Sequence, residues 1–378
     1  MENQYAYAAH MAELCNLLED QWSKDIFWAR LQFDCQPNLE NEIRLLELSG
    51  SNTEKEIQFR KNFQTFSKQL QEQGKKLFLY GASANGRKLG SMLLEKGDFF
   101  AYCARNHEKY TSGVLGKQVY PPEYVFQHSD ECCVLIASAV GLEEIYGILM
   151  EHHFPQEQIF LPISFVANRE LLDRQYFDFP GSFRKGTAFV DAGCFDCGTS
   201  KRFSEWCGGE YSKIFAFEPD PINAQRCRGI ADSSNLRLEL IPFVLSSRPG
   251  EVEFSANTSG SSHIVFFDTP GHGAMNMQIP EKRVMKVKTT TLDQVVQDTE
   301  IGFIKMDIEG SELDALHGAE QTILRDKPHL AICVYHRCGD VLAIMDYLHQ
   351  LVPQYHFWLR HYLWLGLETV LYASIGQT

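Results

Sequence analysis

An acidic residue beside a glycine turn offers the clearest chemistry in this 378-residue sequence. Asp191 ends an apolar run, and Gly193 follows it in Phe189-Val-Asp-Ala-Gly-Cys-Phe-Asp-Cys-Gly-Thr199, where a helix is predicted to begin. A glycine lets the backbone turn tightly and approach a ligand closely. The free N–H groups of a helix N-terminus then favour anionic groups. Such turns recur in many nucleotide-binding folds, so this segment alone indicates only a site of that general kind.

A second acid extends this pattern. Glu218 ends the next predicted strand, in Ala216-Phe-Glu-Pro-Asp-Pro221, and lies 27 residues beyond Asp191. An acid that ends the second strand, about 20 residues after a glycine turn, can bind both hydroxyls of a ribose. The pair therefore predicts a nucleoside ligand without identifying which one. The alternative is an aspartate at a turn and a glutamate before prolines, with no ligand.

The elements that position these residues alternate between strand and helix from about residue 186 onward. The predicted strands are mostly continuous apolar runs, as expected for strands covered on both faces: Thr187–Val190, Lys213–Phe217, Leu236–Ile241, Gly302–Met306 and Leu330–Val334. Tyr355–Arg360 and Glu368–Ala373 then predict two antiparallel strands joined near Gly366. The pattern predicts an α/β fold with a parallel sheet that a terminal hairpin completes.

Further motifs follow in the same region. Ile304-Lys-Met-Asp-Ile-Glu-Gly-Ser-Glu-Leu313 ends the fourth predicted strand, and it is accompanied by Thr290-Thr-Leu-Asp293, Leu316-His-Gly-Ala319, Val334-Tyr-His336 and Glu368-Thr-Val-Leu-Tyr-Ala373. Together with the Val-Asp-Ala-Gly and Phe-Glu-Pro-Asp segments, these motifs stand in the order found in the FkbM family of methyltransferases. The sequence from about Gly186 to its C-terminus therefore resembles that family.

The resemblance implies a class I methyltransferase domain, which is Rossmann-like and has a seven-stranded sheet with a terminal antiparallel hairpin. It implies S-adenosylmethionine (SAM) as the methyl donor and O-methylation of a sugar, glycan or other small polyhydroxy acceptor. Carried onto this sequence, it places SAM near Asp191, Gly193, Glu218 and Asp220. Related sequences usually have glycine where Cys197 stands, which raises the alternative that the turn is shifted by one residue.

Asp307, Glu309 and His336 are the candidates for the methyl-transfer centre. In this fold class the first, fourth and fifth strands are neighbours, so the strand ends that carry Asp191, Asp307 and His336 converge. Histidine titrates near neutral pH and can take a hydroxyl proton directly. Alternatively, Asp307, Glu309 and His336 hold a divalent metal that lowers the pKa of the acceptor. A third possibility is structural: Asp307 fixes the loop or SAM, and His336 is a hydrogen-bonded strand-end residue. No residue is assigned as a metal ligand on sequence alone.

The segment Ser259–Pro280 is predicted to border the acceptor. It lies between the third and fourth predicted strands of the domain and contains glycine, serine and histidine residues. Such a composition suits a mobile loop over a site. An ordinary surface excursion is the alternative.

Two regions precede the methyltransferase-like domain, which is predicted to span residues 180–378. Residues 1–74 are predicted to be mainly helical, because apolar residues recur there at helical spacing: Met11, Leu14, Leu18, Phe59, Phe63, Phe66 and Leu70. Residues 75–165 resemble the nucleotide-sugar-type Rossmann modules that precede some sugar methyltransferases, through the turn from Tyr80 to Gly86. Ala104 stands where a ribose-binding acid is expected, so a scaffold or acceptor-positioning role is predicted rather than an NAD site.

The composition bears on partners and location. The formal net charge is −14 and no basic stripe is present, which disfavours nucleic acids and anionic membrane surfaces as partners. No apolar run approaches the roughly 20 residues that a spanning helix needs. The eleven cysteines lie mostly in apolar runs and predict buried free thiols, and Cys194-x-x-Cys197 has no second pair at zinc-ribbon spacing. A cytoplasmic protein is predicted, and its oligomeric state cannot be derived from the sequence.

Two rival functions stay open at this point. An NAD-dependent oxidoreductase could use either glycine turn, although the predicted terminal hairpin and Ala104 argue against it. A binding protein could instead retain the fold without catalysis, and the replacement of glycine by Cys197 is the feature that favours this alternative.

Overall fold

The computed structural model describes residues 2–49, 70–94, 99–138, 142–160, 174–178, 181, 183–256, 263–264, 283–362 and 366–376. The chain forms two compact units. One comprises residues 1–31, 172–361 and 367–378, and the other comprises residues 32–171 and 362–366. This division differs from the predicted one, because the first 31 residues belong to the same unit as the C-terminal half of the chain. Phe59, Phe63 and Phe66 of the predicted helical region lie outside the described residues.

The unit of residues 32–171 contains a parallel sheet with the strand order β3-β2-β1-β4-β5. Its strands are β1 (Lys76–Tyr80), β2 (Ala101–Cys103), β3 (Val119–Tyr120), β4 (Cys132–Ile136) and β5 (Ile159–Phe160). The helices are α3 (Leu39–Glu47), α4 (Ala84–Leu94), α5 (Pro122–Gln127) and α6 (Leu142–Glu151), together with part of α2 (Gln21–Cys35). Every residue of β4 is buried, as expected for a central parallel strand. All four strand pairs of this sheet are parallel.

The other unit contains a seven-stranded sheet with the order β15-β16-β14-β13-β6-β7-β8. Its strands are β6 (Ala188–Ala192), β7 (Ile214–Phe217), β8 (Leu238–Ile241), β13 (Ile301–Met306), β14 (His329–Cys333), β15 (Tyr355–His361) and β16 (Thr369–Ile375). Five of these strands run parallel, whereas β16 pairs antiparallel with both β14 and β15. All residues of β6, β7 and β13 are buried, so the core of this unit lies on both faces of the sheet centre.

This unit also contains helices, most of which lie between successive strands along the chain. They are α1 (Glu2–Asn16), α7 (Gly198–Trp206), α8 (Pro221–Ser234), α9 (Leu292–Val296), α10 (Glu312–His317), α11 (Glu320–Asp326) and α12 (Asp340–Leu351), and most of α2 belongs here too. Among the described residues, no helix combines the length and the apolar character needed to cross a bilayer.

The N-terminal segment belongs to this unit because it bonds to the edge strand β15. The Leu359 N–H donates to Ser23 Oγ at 3.0 Å, and Arg360 Nη2 pairs with Asp20 Oδ2 at 2.8 Å. Ser23 is buried and Arg360 is almost so, which makes these polar contacts costly to leave unmade. The segment therefore covers the edge of the sheet, which limits edge-to-edge pairing with other chains.

A four-stranded sheet with the order β11-β10-β12-β9 was not predicted. It consists of β9 (Val244–Leu245), β10 (Gly250–Ala256), β11 (His263–Ile264) and β12 (Arg283–Thr290). Polar and apolar residues alternate in β10 and β12, a pattern typical of strands with one solvated face. Of the predicted acceptor segment Ser259–Pro280, only His263 and Ile264 lie within the described residues.

Candidate active site

A cavity lies beyond the C-terminal ends of β6, β7 and β13. Its wall includes four residues that the sequence singled out, namely Gly193, Glu218, Asp307 and Glu309. The rest of the wall is mainly apolar: Phe195, Phe217, Pro219, Asn223, Phe243, Val244, Leu245, Phe254, Ile308 and Ser311. Ligands of open α/β sheets bind at this end of the strands. The structure therefore brings these four predicted residues to one cavity.

The turn that follows β6 depends on glycine at position 193. Gly193 has a φ of 77°, and a Cβ atom there would lie 1.9 Å from the carbonyl oxygen of Asp307. Its N–H donates to the Phe217 carbonyl oxygen at 3.0 Å, which ties the turn to the end of β7. A side chain at this position would separate β6 from the segment that carries Asp307.

Cys197 occupies the N-cap of α7 in the left-handed region, with a φ of 64°. Glycine adopts this conformation without strain, which explains the glycine that related sequences have here. The positive φ falls on Cys197 itself, and α7 begins at Gly198.

The Glu218 carboxylate is held by backbone donors and still has capacity to bind a ligand. Its Oε2 accepts the Phe195 N–H at 3.1 Å, and its Oε1 accepts the Asp220 N–H at 2.8 Å. Each carboxylate oxygen can accept more than one hydrogen bond, so two hydroxyl donors can still be bound. Burial raises the pKa of Glu218 to about 7, although the two N–H donors lower it in part. Hydroxyl donors from a ribose would favour the ionised form further.

Asp191 and Asp220 are not part of the cavity wall. Asp191 is fully buried, pairs with Lys305 Nζ at 3.1 Å and accepts a hydrogen bond from Ser200 Oγ at 2.7 Å. Asp220 caps α8, because its Oδ1 accepts the Ile222 N–H at 2.8 Å. In the described structure both acids shape the turns behind the cavity. Of the three acids predicted to bind SAM, Glu218 is the one that lines it.

Lys305 is a buried cation that the sequence interpretation missed. Its Nζ donates to the Gly193 carbonyl oxygen at 2.8 Å in addition to pairing with Asp191. Burial lowers the pKa of Lys305, but the carboxylates of Asp191 and Asp307 raise it above its ordinary value. Lysine is therefore charged here and joins the glycine turn to β13. Its position two residues before Asp307, in Ile304-Lys-Met-Asp307, is the sequence feature that could have indicated a role for Lys305 at this site.

His336 lies among three carboxylates, and only 7% of its side chain is exposed. Its Nε2 is 3.4 Å from Asp307 Oδ1 and 3.9 Å from Glu309 Oε2, and its Nδ1 is 2.9 Å from Glu312 Oε1. The predicted group of His336, Asp307 and Glu309 is thus brought together. Glu312 faces the opposite ring nitrogen, so it can orient the imidazole.

The pKa values of His336, Glu309 and Asp307 are shifted by different amounts and in different directions because their surroundings differ. Burial alone would lower the pKa of His336, but Glu312, Glu309 and Asp307 raise it to about 10. Burial raises the pKa of Glu309 to about 8. Burial would also raise the pKa of Asp307, but Lys305 and His336 hold it below its usual value. At neutral pH the imidazole is charged, and Glu309 is the group of this cluster that lines the cavity and titrates nearest to neutrality.

Several side chains that contact Asp307 or His336 could not be identified from the sequence. Tyr176 Oη donates to Asp307 Oδ2 at 2.8 Å. Tyr335 Oη lies 3.3 Å from Asp307 Oδ1 and 3.1 Å from Glu368 Oε1, so its one proton can be donated to either carboxylate. Glu312 lies in the motif Ile304–Leu313 but is distant from His336 in the sequence. Only the fold brings the two side chains together. Tyr176 lies outside every motif, so no signal pointed to it.

Two groups of side chains in the described part of the chain have the spacing for a metal ion near the cavity. Asp307, Glu312 and His336 form one group, and Asp307, Cys333 and Glu368 form the other, with potential ligand atoms within 4.8 Å of one another in each. Oxygen and imidazole donors suit divalent cations. The first group differs from the predicted set, because Glu312 stands where Glu309 was expected.

Part of this chain matches a family of known proteins, and individual proteins and solved structures are similar to it. The family described as Methyltransferase FkbM domain matches residues 196–355. The 2-O-methyltransferase NoeI of Sinorhizobium fredii (strain NBRC 101917 / NGR234) is 26% identical over 148 residues, which cover 36% of this chain and 59% of NoeI, less than two thirds of its length. A crystal structure of methyltransferase FkbM from Methylobacillus flagellatus KT is 18% identical, with a TM-score of 0.47, and the match covers 79% of this chain and 90% of that one.

Proposed function

Because residues 196–355 match the family described as Methyltransferase FkbM domain, we propose that this protein uses SAM to methylate a hydroxyl group of a sugar, glycan or other small polyhydroxy acceptor. One observation carries the proposal. The same cavity is lined by Gly193 and Glu218, which suit a nucleoside, and by Asp307 and Glu309, which suit proton removal from an acceptor. The activity named for NoeI, a 2-O-methyltransferase, supports methylation at oxygen.

The wall of the cavity has the groups that SAM requires. The free lone pairs of Glu218 would accept the two ribose hydroxyls, and Phe243 and Leu245 offer an apolar surface for the adenine. Backbone groups of the turn at Gly193 face the same cavity. When bound, SAM supplies an electrophilic methyl group on a sulfonium. The protein must align the acceptor with that methyl group and remove the acceptor's proton, and alignment alone can provide much of the rate.

The proton of the acceptor hydroxyl is best accepted by Glu309 in this arrangement. Glu309 lines the cavity, and burial raises its pKa to about 8, close to the working range of a general base. His336 is held as a cation beside it by Glu312, so it stabilises negative charge that develops on the acceptor oxygen. Groups whose pKa values are pushed apart in this way commonly divide the acid and base roles.

A divalent metal is the second candidate for activating the acceptor. Asp307, Glu312 and His336 have suitable donor atoms close together. A cation there would lower the pKa of the acceptor hydroxyl and so reduce the need for a protein base. Dialysis against EDTA followed by re-addition of Mg²⁺, Mn²⁺ or Zn²⁺ separates the alternatives. Activity that is lost and then restored favours the metal, and activity that is unchanged favours Glu309.

The proposed reaction can be tested with radiolabelled SAM and a panel of free sugars, amino sugars, polyols and oligosaccharides. We expect label to enter at least one acceptor, with formation of an equal amount of S-adenosylhomocysteine (SAH). The same panel with Glu218→Ala serves as the control for transfer from the proposed cavity. Label that enters only amine-bearing acceptors would contradict O-methylation, and failure of SAM and SAH to bind would contradict the proposal as a whole.

A further inference from the structure

Three cysteines form a buried cluster behind the cavity wall. Cys197 and Cys227 are joined by a disulfide, with their Cα atoms 4.9 Å apart. Cys194 Sγ lies 3.7 Å from Cys227 Sγ and 3.8 Å from Cys197 Sγ, and all three residues are buried. The prediction of free thiols was wrong for Cys197 and Cys227, because their pairing depends on the fold and not on a recognisable spacing. Cys194 itself is a free thiol.

The disulfide joins the two segments that build the proposed nucleoside site. Cys197 ends the turn that contains Gly193 and Phe195, and Cys227 lies in α8, which follows Glu218 directly along the chain. Apart from the disulfide, the side chain of Glu218 links the same two segments through the Phe195 N–H. The disulfide therefore restrains the relative position of the residues that line this side of the cavity.

The third thiol makes this disulfide suited to exchange. Cys194 Sγ is close to both bonded sulfurs, so its thiolate can attack either one and release the other as a thiolate. Cys194 is flanked by Gly193 and Phe195, both of which line the cavity. Burial, with Asp191 and Glu218 adding to it, raises the pKa of the Cys194 thiol well above its ordinary value. Exchange is therefore slow until the cavity wall opens, and a ligand in the cavity should slow it further.

We propose that Cys194, Cys197 and Cys227 form a reversible thiol–disulfide site that couples the redox state of the protein to its affinity for the cofactor. This inference rests on the proposed SAM cavity. In the oxidised form the disulfide keeps the turn at Gly193 and α8 in the binding arrangement, whereas reduction releases that restraint. A preorganised site binds more tightly, so reduction is expected to weaken SAH binding by about tenfold.

The chemistry requires a two-electron partner. A dithiol reductant breaks the Cys197–Cys227 bond, transfers two electrons and two protons to form two protein thiols, and is itself converted to a disulfide. In the reverse direction a low-molecular-weight disulfide such as oxidised glutathione accepts the two electrons. The bond then forms between the protein sulfurs, and the two protons leave with two glutathione molecules. A disulfide in a reducing compartment is usually redox-sensing or catalytic.

The test uses the full chain equilibrated in glutathione buffers of graded redox poise. Each sample is denatured and alkylated so that mass spectrometry counts its thiols, and SAH affinity is measured in parallel by calorimetry. We expect nine thiols after oxidation and eleven after reduction, with weaker SAH binding in the reduced form. Added SAH should also slow the reduction.

Variants separate the cluster from the other cysteines. Cys197→Ser and Cys227→Ser each leave a cysteine that can still pair with Cys194, so each is combined with Cys194→Ser. Both double variants should bind SAH with the reduced-form affinity in every buffer. Cys194→Ser should keep the disulfide but form and break it more slowly. Cys207→Ser removes a half-buried thiol outside the cluster and should behave as the wild-type chain does.

Three results would overturn the inference. Eleven thiols in the fully oxidising buffer would show that the disulfide does not form. Equal SAH affinity in both redox states would remove the coupling. Zinc that co-purifies at one equivalent and is lost in Cys227→Ser would identify a metal–thiolate site instead. If SAH binds in neither state, the proposed cofactor site fails together with the coupling, whereas the thiol count still decides whether the disulfide is reversible.

Discussion

Glu309 reaches the acidic end of the cavity from a strained backbone position, since its φ is 55°. The left-handed backbone conformation costs a non-glycine residue about 1–3 kcal/mol, so it is found only where the surrounding structure enforces it. Here Gly310 follows with a φ of 92°, and the Glu312 side chain accepts the Ile308 N–H at 2.9 Å, which closes the loop on itself. The loop after β13 thus holds Glu309 and Glu312 on either side of His336.

The proposed role of Glu309 predicts a pH dependence with a definite sign. Its pKa is raised to about 8 by burial, so the carboxyl group is largely protonated, and unable to accept a proton, below that pH. The rate of methyl transfer should therefore rise with pH and reach half its maximum near pH 8. If His336 is the base instead, the midpoint should lie near pH 10, because its carboxylate neighbours raise its pKa to about 10.

Variants can show which residue sets the midpoint of the pH–rate profile. Glu309→Gln should lose about 10²–10⁴-fold in kcat together with the pH-dependent rise. Glu320→Gln changes an exposed acid of α11 and should leave the profile intact. A Glu309→Gln enzyme that keeps both its rate and its pH profile would exclude Glu309 as the base.

The role of Glu218 can be tested by binding alone. Glu218→Ala removes a charge-assisted acceptor, so SAH affinity should fall by about 1.5–3 kcal/mol, or roughly 10–150-fold. Glu239→Ala is the matched control, because Glu239 is an exposed acid on the neighbouring strand β8 that pairs with Lys213. Calorimetry that gives equal affinities for both variants would remove Glu218 from the ribose site.

At the scale of the elements, the turn between β6 and α7 depends on two separate features of Gly193. Gly193→Ala introduces strain from the positive φ and, in addition, a contact with the Asp307 carbonyl oxygen. Gly208→Ala isolates the first effect, since Gly208 has a φ of 64° and no heavy atom near the added Cβ. Urea unfolding should show a loss of about 1–2 kcal/mol for Gly208→Ala. A clearly larger loss is expected for Gly193→Ala, and equal losses would show that the turn relaxes away from Asp307.

The segment between β10 and β12 is where the acceptor is predicted to bind. Phe254 in β10 lines the cavity, and it pairs with Met285 in β12, so the chain leaves for residues 259–280 and returns from them beside the cavity. Hydrogen exchange should slow in peptides from 259–280 when SAH and an acceptor are both added. Peptides from the β15–β16 hairpin should be unaffected. Exchange that does not change in 259–280 would place the acceptor elsewhere.

The elements that could be predicted are those whose signal is continuous in the sequence. An apolar strand followed by a glycine turn identified β6 and Gly193, and similar runs identified β7 and β13. The contact of Glu312 with His336 depends instead on how β13 and β14 pair and on the loop between them. The disulfide partner of Cys197 depends on the packing of α7 and α8. Because β10 and β12 alternate polar and apolar residues, no continuous apolar run marks them, and the sequence interpretation assigned no strand to either segment.

At the scale of the whole molecule, two sheets have glycine turns that could in principle bind a dinucleotide. The turn after β1 is followed by a strand β2 whose end continues with Ala104, Arg105 and Asn106, none of which can accept hydrogen bonds from both ribose hydroxyls as a carboxylate does. Arg105 Nη1 instead pairs with Glu144 Oε1 at 2.8 Å. The turn after β6 is followed by β7 and Glu218, which can accept both hydroxyls.

This contrast predicts which ligands stabilise the full chain against heat. A ligand at one hundred times its Kd adds about 2.7 kcal/mol, so SAM and SAH should each raise the Tm by several degrees, whereas NAD should not. In Glu218→Ala, most of the rise in Tm caused by SAH should be lost. The same variant also shows whether any rise in Tm caused by NAD depends on the cavity at Glu218. If NAD raises the Tm of the wild type and of Glu218→Ala equally, the unit of residues 32–171 binds it and the prediction from Ala104 is wrong. If NAD acts on the wild type alone, it competes for the cavity at Glu218, and an oxidoreductase becomes the better interpretation.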